Sequence, residues 1–217
     1  MNHKAKLIVF DWDGTLMDSA AHIVACLQNA ISELNLEPKT NNEVKNIIGL
    51  GLREALLALY PQATESELTA LVDRYREHFF DQQADPCELF SGAKELVQEL
   101  DAKDYYLAVA TGKGRNGLDK VLKETGMEKY FPITRCADEA HSKPHPKMML
   151  DIIEHYGVET TEAIMVGDTE YDLKMATNAD AHSIAVSYGV HEKQRLLDCK
   201  PLTCLDSINE LHQWLLN

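Results

Sequence analysis

Basic residues are scarce in this chain: 21 Lys and Arg stand against 35 Asp and Glu, leaving a formal charge of -14 at pH 7. A field of that sign repels phosphate backbones at long range, which argues against a nucleic-acid partner. Long apolar runs are missing too. Leu7-Ile8-Val9-Phe10 stops at Asp11, far short of the roughly 18 residues a bilayer span needs, so the reading is a soluble protein with no membrane segment and no signal peptide. Cysteine offers no framework, because Cys26, Cys87, Cys136, Cys199 and Cys204 are odd in number, scattered and without a C-x-x-C pair. Free thiols in a reducing cytoplasm fit that pattern best. No internal repeat or low-complexity tract appears. What is present, 217 residues with 45% hydrophobic content, suffices for a catalytic domain with a sizeable core and one smaller unit.

The apolar spacing divides the chain. Lys6 to Phe10 reads as a buried strand. From Ser19 to about Ala84 the pattern is helical: Ile23, Leu27, Ile31 and Leu34 recur at helical spacing, as do Leu52, Leu56 and Leu59, then Leu68, Leu71 and Tyr75. Asn35 with Pro38, the pair Gly49 and Gly51, and Tyr60-Pro61 break this stretch into about four helices. After Asp85-Pro86 helix and strand alternate, with strands expected at Tyr105 to Ala110, Pro132 to Cys136, Ala163 to Val166 and Ser183 to Val186. Helices are expected at Ala93 to Leu100, Gly117 to Thr125, Pro146 to His155 and Tyr171 to Thr177. Such alternation predicts an α/β fold, a Rossmann-like parallel sheet core with an inserted α-helical cap. Residues 1–16 and 85–217 would form the core and 17–84 the cap, with hinges near Met17 and within Ala84 to Ser91.

Four segments carry chemistry, and each falls at the C-terminal end of an expected strand, where open parallel sheets bind ligands. Asp11-Trp12-Asp13-Gly14-Thr15 places two carboxylates there, and a turn at Asp13 can gather both with a backbone carbonyl around one point. Thr111-Gly112-Lys113 offers a hydroxyl and free N–H groups for an anion. Lys143-Pro144 lies in the polar loop before a helix that Pro146 would start, and its lysine could neutralise bound phosphate. Gly167-Asp168-Thr169-Glu170-Tyr171-Asp172 sets two carboxylates four apart on one helical face, hard oxygen ligands that suit magnesium. Taken alone each segment also reads as an ordinary cap, turn or surface charge; their convergence on one crevice is what argues for a site.

These four segments resemble the motifs of the haloacid-dehalogenase-like hydrolase superfamily, and the helical insertion after the first is similar to the cap of its phosphoglycolate phosphatase and beta-phosphoglucomutase branch. The resemblance implies a phosphatase with Asp11 as nucleophile and Asp13 as general acid and base. It places Thr111 and Lys143 on the phosphoryl group and Mg2+ among Asp11, the backbone carbonyl of Asp13, and Asp168, with Asp172 at the same metal site. Asp13 counts against dehalogenase and phosphonate-cleaving relatives, and Gly167 where mutase relatives carry an acid favours hydrolysis over transfer to a second sugar.

A different reading comes from Gly112-Lys113-Gly114-Arg115-Asn116-Gly117, a G-x-G-x-x-G run that would make the chain a dinucleotide-binding module with Asp138 or Glu139 as the ribose acid. It leaves the carboxylates and Lys143 unexplained. A catalytically silent binding protein on the same fold is the third class. For substrate, the turn Ile48-Gly49-Leu50-Gly51-Leu52-Arg53 resembles the cap loop of the branch, where Gly49 lets a ligand approach and Arg53 could hold a substrate carboxylate or second anionic group, with Gly112 of the second segment also expected to bind substrate. A small phosphorylated metabolite, with 2-phosphoglycolate leading, is the expected partner of a monomer or homodimer.

Overall fold

The computed structural model of the chain describes residues 5–80 and 87–217. In chain order it forms β1 (Leu7–Phe10), β2 (Met17–Asp18), α1 (Ala20–Glu33), α2 (Asn41–Asn46), α3 (Leu52–Leu59), α4 (Glu65–Phe79), β3 (Glu88–Leu89), α5 (Ala93–Ala102) and β4 (Tyr106–Thr111). There follow α6 (Arg115–Thr125), β5 (Ile133–Cys136), α7 (Lys147–Tyr156), β6 (Ala163–Gly167), α8 (Glu170–Asn178), β7 (His182–Val186), α9 (Lys193–Asp198), β8 (Cys204–Leu205) and α10 (Ile208–Leu216). Among the described residues six strands join one sheet in the order β5-β4-β1-β6-β7-β8, with each pairing parallel. The chain steps outward from β1 to β4 and β5, then returns to the other side of β1 for β6. That reversal opens a crevice at the carboxyl ends of the strands beside β1.

Every residue of β1 is buried because helices cover both faces of the sheet. Ile8 and Phe10 face a cluster completed by Leu96 and Val97 of α5, Leu118 of α6 and Leu211 of α10. Leu7 and Val9, pointing the other way, meet Met148 and Ile152 of α7 and Met175 of α8. A third buried cluster draws on α1 to α4, with Leu27, Ile31, Val44, Leu56 and Leu71 among its members. Two of these helices start at full capping boxes, Thr40 with Glu43 and Thr64 with Glu67, so their first N–H groups are satisfied locally. Asn35, at φ +51°, takes the left-handed conformation just beyond α1.

The expected elements are present, with shifted ends: α6 begins at Arg115 rather than Gly117, and α7 at Lys147, with Pro146 as its cap. Three short strands and the last two helices had no counterpart in the sequence reading. β2 and β3 pair antiparallel through Met17 with Leu89 and Asp18 with Glu88, tying together the two crossings between sheet and inserted helices. The boundary expected at Ala84–Asp85, and Pro86 beside it, lie outside the described residues. No described helix is long and apolar enough to cross a membrane.

Leu71 is 1% exposed in the third cluster. Leu71→Ala should therefore cost about 2–5 kcal/mol, read as a lower urea midpoint. A loss below about 1 kcal/mol would mean that the inserted helices do not pack as a dense core.

Candidate active site

Asp11 follows β1 directly, and its backbone N–H donates to the Val166 carbonyl of β6 at 2.9 Å, so the strand register itself aims the side chain into the crevice. The carboxylate is 1% exposed. Lys143, fully buried, reaches in from the loop before α7 and sits 2.8 Å from Asp11 Oδ1 and 2.5 Å from Asp172 Oδ1. Asp11 Oδ2 has no hydrogen-bond partner among the described residues. One oxygen of the carboxylate thus lies against an ammonium, and the other, equally buried, has no hydrogen-bond partner.

Asp168, at the end of β6, accepts from the Thr15 hydroxyl at 2.9 Å and from the Val190 N–H at 2.8 Å. Gly14 wraps over it at φ +84°, where an added Cβ would lie 2.3 Å from Asp168 Oδ2. That turn requires glycine both for its conformation and for its closeness. Asp172 Oδ2 accepts from the Thr169 N–H and hydroxyl at the start of α8, which leaves Oδ1 for Lys143.

Asp11, Asp168 and Asp172 bring ligand atoms within 4.8 Å of one another, all buried. Against these three carboxylates stands one ammonium, Lys143, paired with two of them. Burial pushes the Asp11 carboxyl up to about 7 against the opposing pull of Lys143, with Asp172 and Asp13 adding to the rise. Burial, then Asp11 and Asp172, lift Asp168 well above the carboxylate range despite Val190 and Thr15. Burial works against the Lys143 ammonium, yet the two carboxylates outweigh it and raise its pKa. The excess negative charge, the Asp11 oxygen without a hydrogen-bond partner and the all-oxygen donor set fit a hard divalent cation.

The Asp13 carboxylate stands outside this cluster. Oδ1 accepts from the Ser19 hydroxyl at 2.6 Å, and Oδ2 lies 3.0 Å from the Lys113 ammonium. Asp13, expected at the metal through its backbone carbonyl, does not bring its side chain into the cluster of three carboxylates. Thr111 ends β4, 1% exposed, and its hydroxyl accepts from the Lys113 N–H at 3.1 Å. With Asp11, Asp13, Gly49, Gly112 and Lys113 it lines an inner cavity of about 70 Å³ roofed by Leu50 and Leu52. A wider cavity of about 440 Å³ adjoins it between α3, α4 and the start of α6, sharing Leu52, Tyr75, Gly112 and Lys113.

Arg53, expected to hold a substrate carboxylate, is half-exposed and ion-paired with Glu65. It lines the wider cavity and not the inner one, because α3 turns it outward along the helix. The G-x-G-x-x-G run also has another use. Asp138 accepts from the Arg115 N–H at 3.0 and 3.1 Å, so a carboxylate of the chain itself already occupies the N-terminus of α6 where a pyrophosphate would bind. Lys113 and Ser19 as partners of Asp13, and Val190 as partner of Asp168, were not foreseen. Lys113 was visible beside Thr111, whereas the Val190 contact spans 22 positions and has no local signal.

Comparison with known proteins identifies the family. The family model for haloacid dehalogenase-like hydrolases matches residues 8–186. The "Probable phosphatase IndB" of Dickeya dadantii is 34% identical over 210 residues, covering 94% of this chain and 91% of that protein. A phosphoglycolate phosphatase of Agrobacterium fabrum is 30% identical over 188 residues, 84% of this chain and 81% of its own. The crystal structure of a hydrolase from Pseudomonas syringae shares the fold at a TM-score of 0.89, with 23% identity and 97% of each chain covered. The chain belongs to the haloacid dehalogenase-like hydrolases, in the phosphoglycolate phosphatase-like branch. It is an enzyme of the phosphoric monoester hydrolase class.

The loop over the inner cavity touches the sheet edge at Gly112, where a Cβ would meet the Leu50 carbonyl at 2.3 Å and that of Gly49 at 2.7 Å. Gly112→Ala should displace this loop at a cost of about 1–3 kcal/mol. Faster amide hydrogen exchange over residues 47–51 would report it, and unchanged exchange would contradict the contact.

Proposed function

We propose that the chain is a magnesium-dependent phosphatase that hydrolyses a small phosphorylated metabolite, with 2-phosphoglycolate the leading substrate, through an aspartyl-phosphate on Asp11. The observation that carries this reading is the Asp11 carboxylate, buried at the end of β1 with Lys143 on Oδ1 and no partner on Oδ2. That is a nucleophile oriented before substrate arrives.

In the first half-reaction an Asp11 oxygen bonds to phosphorus as the ester P–O bond breaks, and Asp13 gives its proton to the departing oxygen. The Thr111 hydroxyl, the Gly112 N–H and the Lys143 ammonium take the phosphoryl oxygens. In the second, water gives a proton to Asp13 and bonds to phosphorus, the Asp11–phosphorus bond breaks, and inorganic phosphate leaves. Magnesium, held by Asp11, Asp168 and the Asp13 carbonyl, would offset the charge of carboxylate and phosphate together. Asp172 acts at one remove by holding Lys143.

The inserted helices, residues 17–84 in this reading, serve as a cap that excludes water and selects the leaving group. The loop 48–53 roofing the inner cavity supports that role, and the small cavity favours a compact substrate such as 2-phosphoglycolate. Five cysteines, none in a disulfide, fit a cytoplasmic setting.

Phosphate release from a panel holding 2-phosphoglycolate, sugar phosphates, nucleoside monophosphates and pyrophosphate, with and without magnesium, tests this. Wild type should turn over at least one compound only with magnesium, and Asp11→Asn should lose on the order of a thousand-fold or more while staying folded. No release by folded, magnesium-loaded wild type would overturn the reading. Magnesium should also stabilise wild type against heat, by about 2.7 kcal/mol at a hundred times its Kd, and do so far less for Asp168→Asn. Equal stabilisation of both would remove Asp168 from the metal site.

A further inference from the structure

Both oxygens of Asp13 are engaged, Oδ1 by the Ser19 hydroxyl at 2.6 Å and Oδ2 by the Lys113 ammonium at 3.0 Å. To serve an ester oxygen Asp13 must release one of them. Ser19 is the poor choice, since it is 1% exposed and its N–H is bonded to the Met17 carbonyl, beside the strand pair that leads into α1. Lys113 is the exchangeable partner. Its backbone is pinned, with the N–H on Thr111 Oγ1 and the carbonyl accepting from the Ala137 N–H. Its ammonium rides on a flexible four-carbon stem.

The stem runs over Gly117, where a Cβ would meet Lys113 Cγ at 3.0 Å, and the ammonium lies 4.3 Å from the centre of the Phe79 ring of α4. Lys113 lines both cavities, whereas Arg53 and Arg76 line the wider one alone. The other buried cation, Lys143, is committed to Asp11 and Asp172. Arg115 is held by Glu139, Asp119 and Thr134. A negative group on the leaving side of a substrate bound at Asp11 therefore meets Lys113 first.

We propose that Lys113 determines specificity: it rests on Asp13 in the free enzyme and moves to a second oxyanion of the substrate, carboxylate or phosphoryl, so that the substrate itself frees Asp13 Oδ2. This rests on the phosphatase reading with Asp13 facing the leaving group. It names the substrate class as phosphate esters or anhydrides whose second anionic group lies within a few atoms of the bond that breaks. A singly anchored phosphate gives the ammonium no new partner, and Asp13 stays occupied.

Steady-state kinetics of magnesium-loaded wild type, Lys113→Met and Lys113→Arg on 2-phosphoglycolate, pyrophosphate and ethyl phosphate test it. Wild type should favour at least one of the two doubly anionic compounds over ethyl phosphate by about 100-fold or more in kcat/KM. Which of the two it favours separates carboxylate from phosphoryl recognition. Lys113→Met should erase most of that preference, falling far more on the favoured compound than on ethyl phosphate, and Lys113→Arg should recover part of it. Equal losses on all three compounds, or a preference that survives in Lys113→Met, would overturn the assignment. Wild type that hydrolyses all three alike would overturn it while leaving the phosphatase reading intact; wild type inert toward every phosphate compound would remove both.

Discussion

The site depends on one buried ammonium. Lys143 lies between Asp11 and Asp172 with all three side chains buried, and removing any of the three would strand charge in a low-dielectric interior. Such a cluster is weak evidence for stability, since desolvating the ions offsets most of their attraction. Its value is positional. Asp172 is held by the first turn of α8, Lys143 by Asp172, and Asp11 by Lys143, so the register of the sheet and the start of one helix together fix a single carboxylate oxygen. The chain closes around the acids with bare backbone: added Cβ atoms at Gly14 and Gly189 would both collide with Asp168, and one at Gly167 with Asp172.

The inserted helices reach this edge through a few polar contacts rather than a broad apolar face. The Asn46 carbonyl at the end of α2 accepts from the Tyr171 hydroxyl at 2.9 Å, with His191 Nε2 at 3.4 Å, while Arg195 bonds the Asn46 side chain. On the other side of the loop the Gly51 N–H donates to the Ser142 hydroxyl at 2.7 Å, one residue before Lys143. A junction of this kind exchanges its hydrogen bonds for water at little net cost, since each contributes only about 0.5–1.5 kcal/mol. An entry route that opens and closes suits that arrangement better than a large hydrophobic seam.

Much of this was legible because each chemical segment is local and stands at a strand end. Asp11, Thr111 and Asp168 follow runs whose apolar character marks them as buried strands, and the rule that parallel sheets bind ligands at their carboxyl ends joins segments 50 and more residues apart. β2, β3 and β8 escaped because two residues carry no periodicity. The last helix did carry a signal, Ile208, Leu211 and Leu215 at helical spacing, that the reading did not use. The direction of Arg53 could not be read at all: a glycine turn ahead of a helix fixes neither the rotation of that helix nor whether Glu54 or Glu65 becomes its partner. The glycine run after β4 misleads for a related reason, since its spacing does not say that Asp138, 23 residues on, will cap the same helix.

A formal charge of -14 and the proposed phosphorylated substrate present an apparent conflict, and distance resolves it. At physiological ionic strength the Debye length is about 8 Å, so exposed acids elsewhere on the surface hardly reach the crevice. Inside, the dielectric is low and nearby charges decide. There the sheet edge places Lys143 and Lys113 against Asp11 and Asp13, each cation drawn in by a carboxylate, with Lys113 lining the inner cavity and Lys143 buried on Asp11, which lines it too. The acids that hold these lysines are also the ones expected to react. The same ion pairs that make the site electrostatically tolerable would therefore store the positive charge that the proposed phosphorylated substrate needs, and in that reading substrate binding is an exchange of partners rather than the burial of a new uncompensated charge.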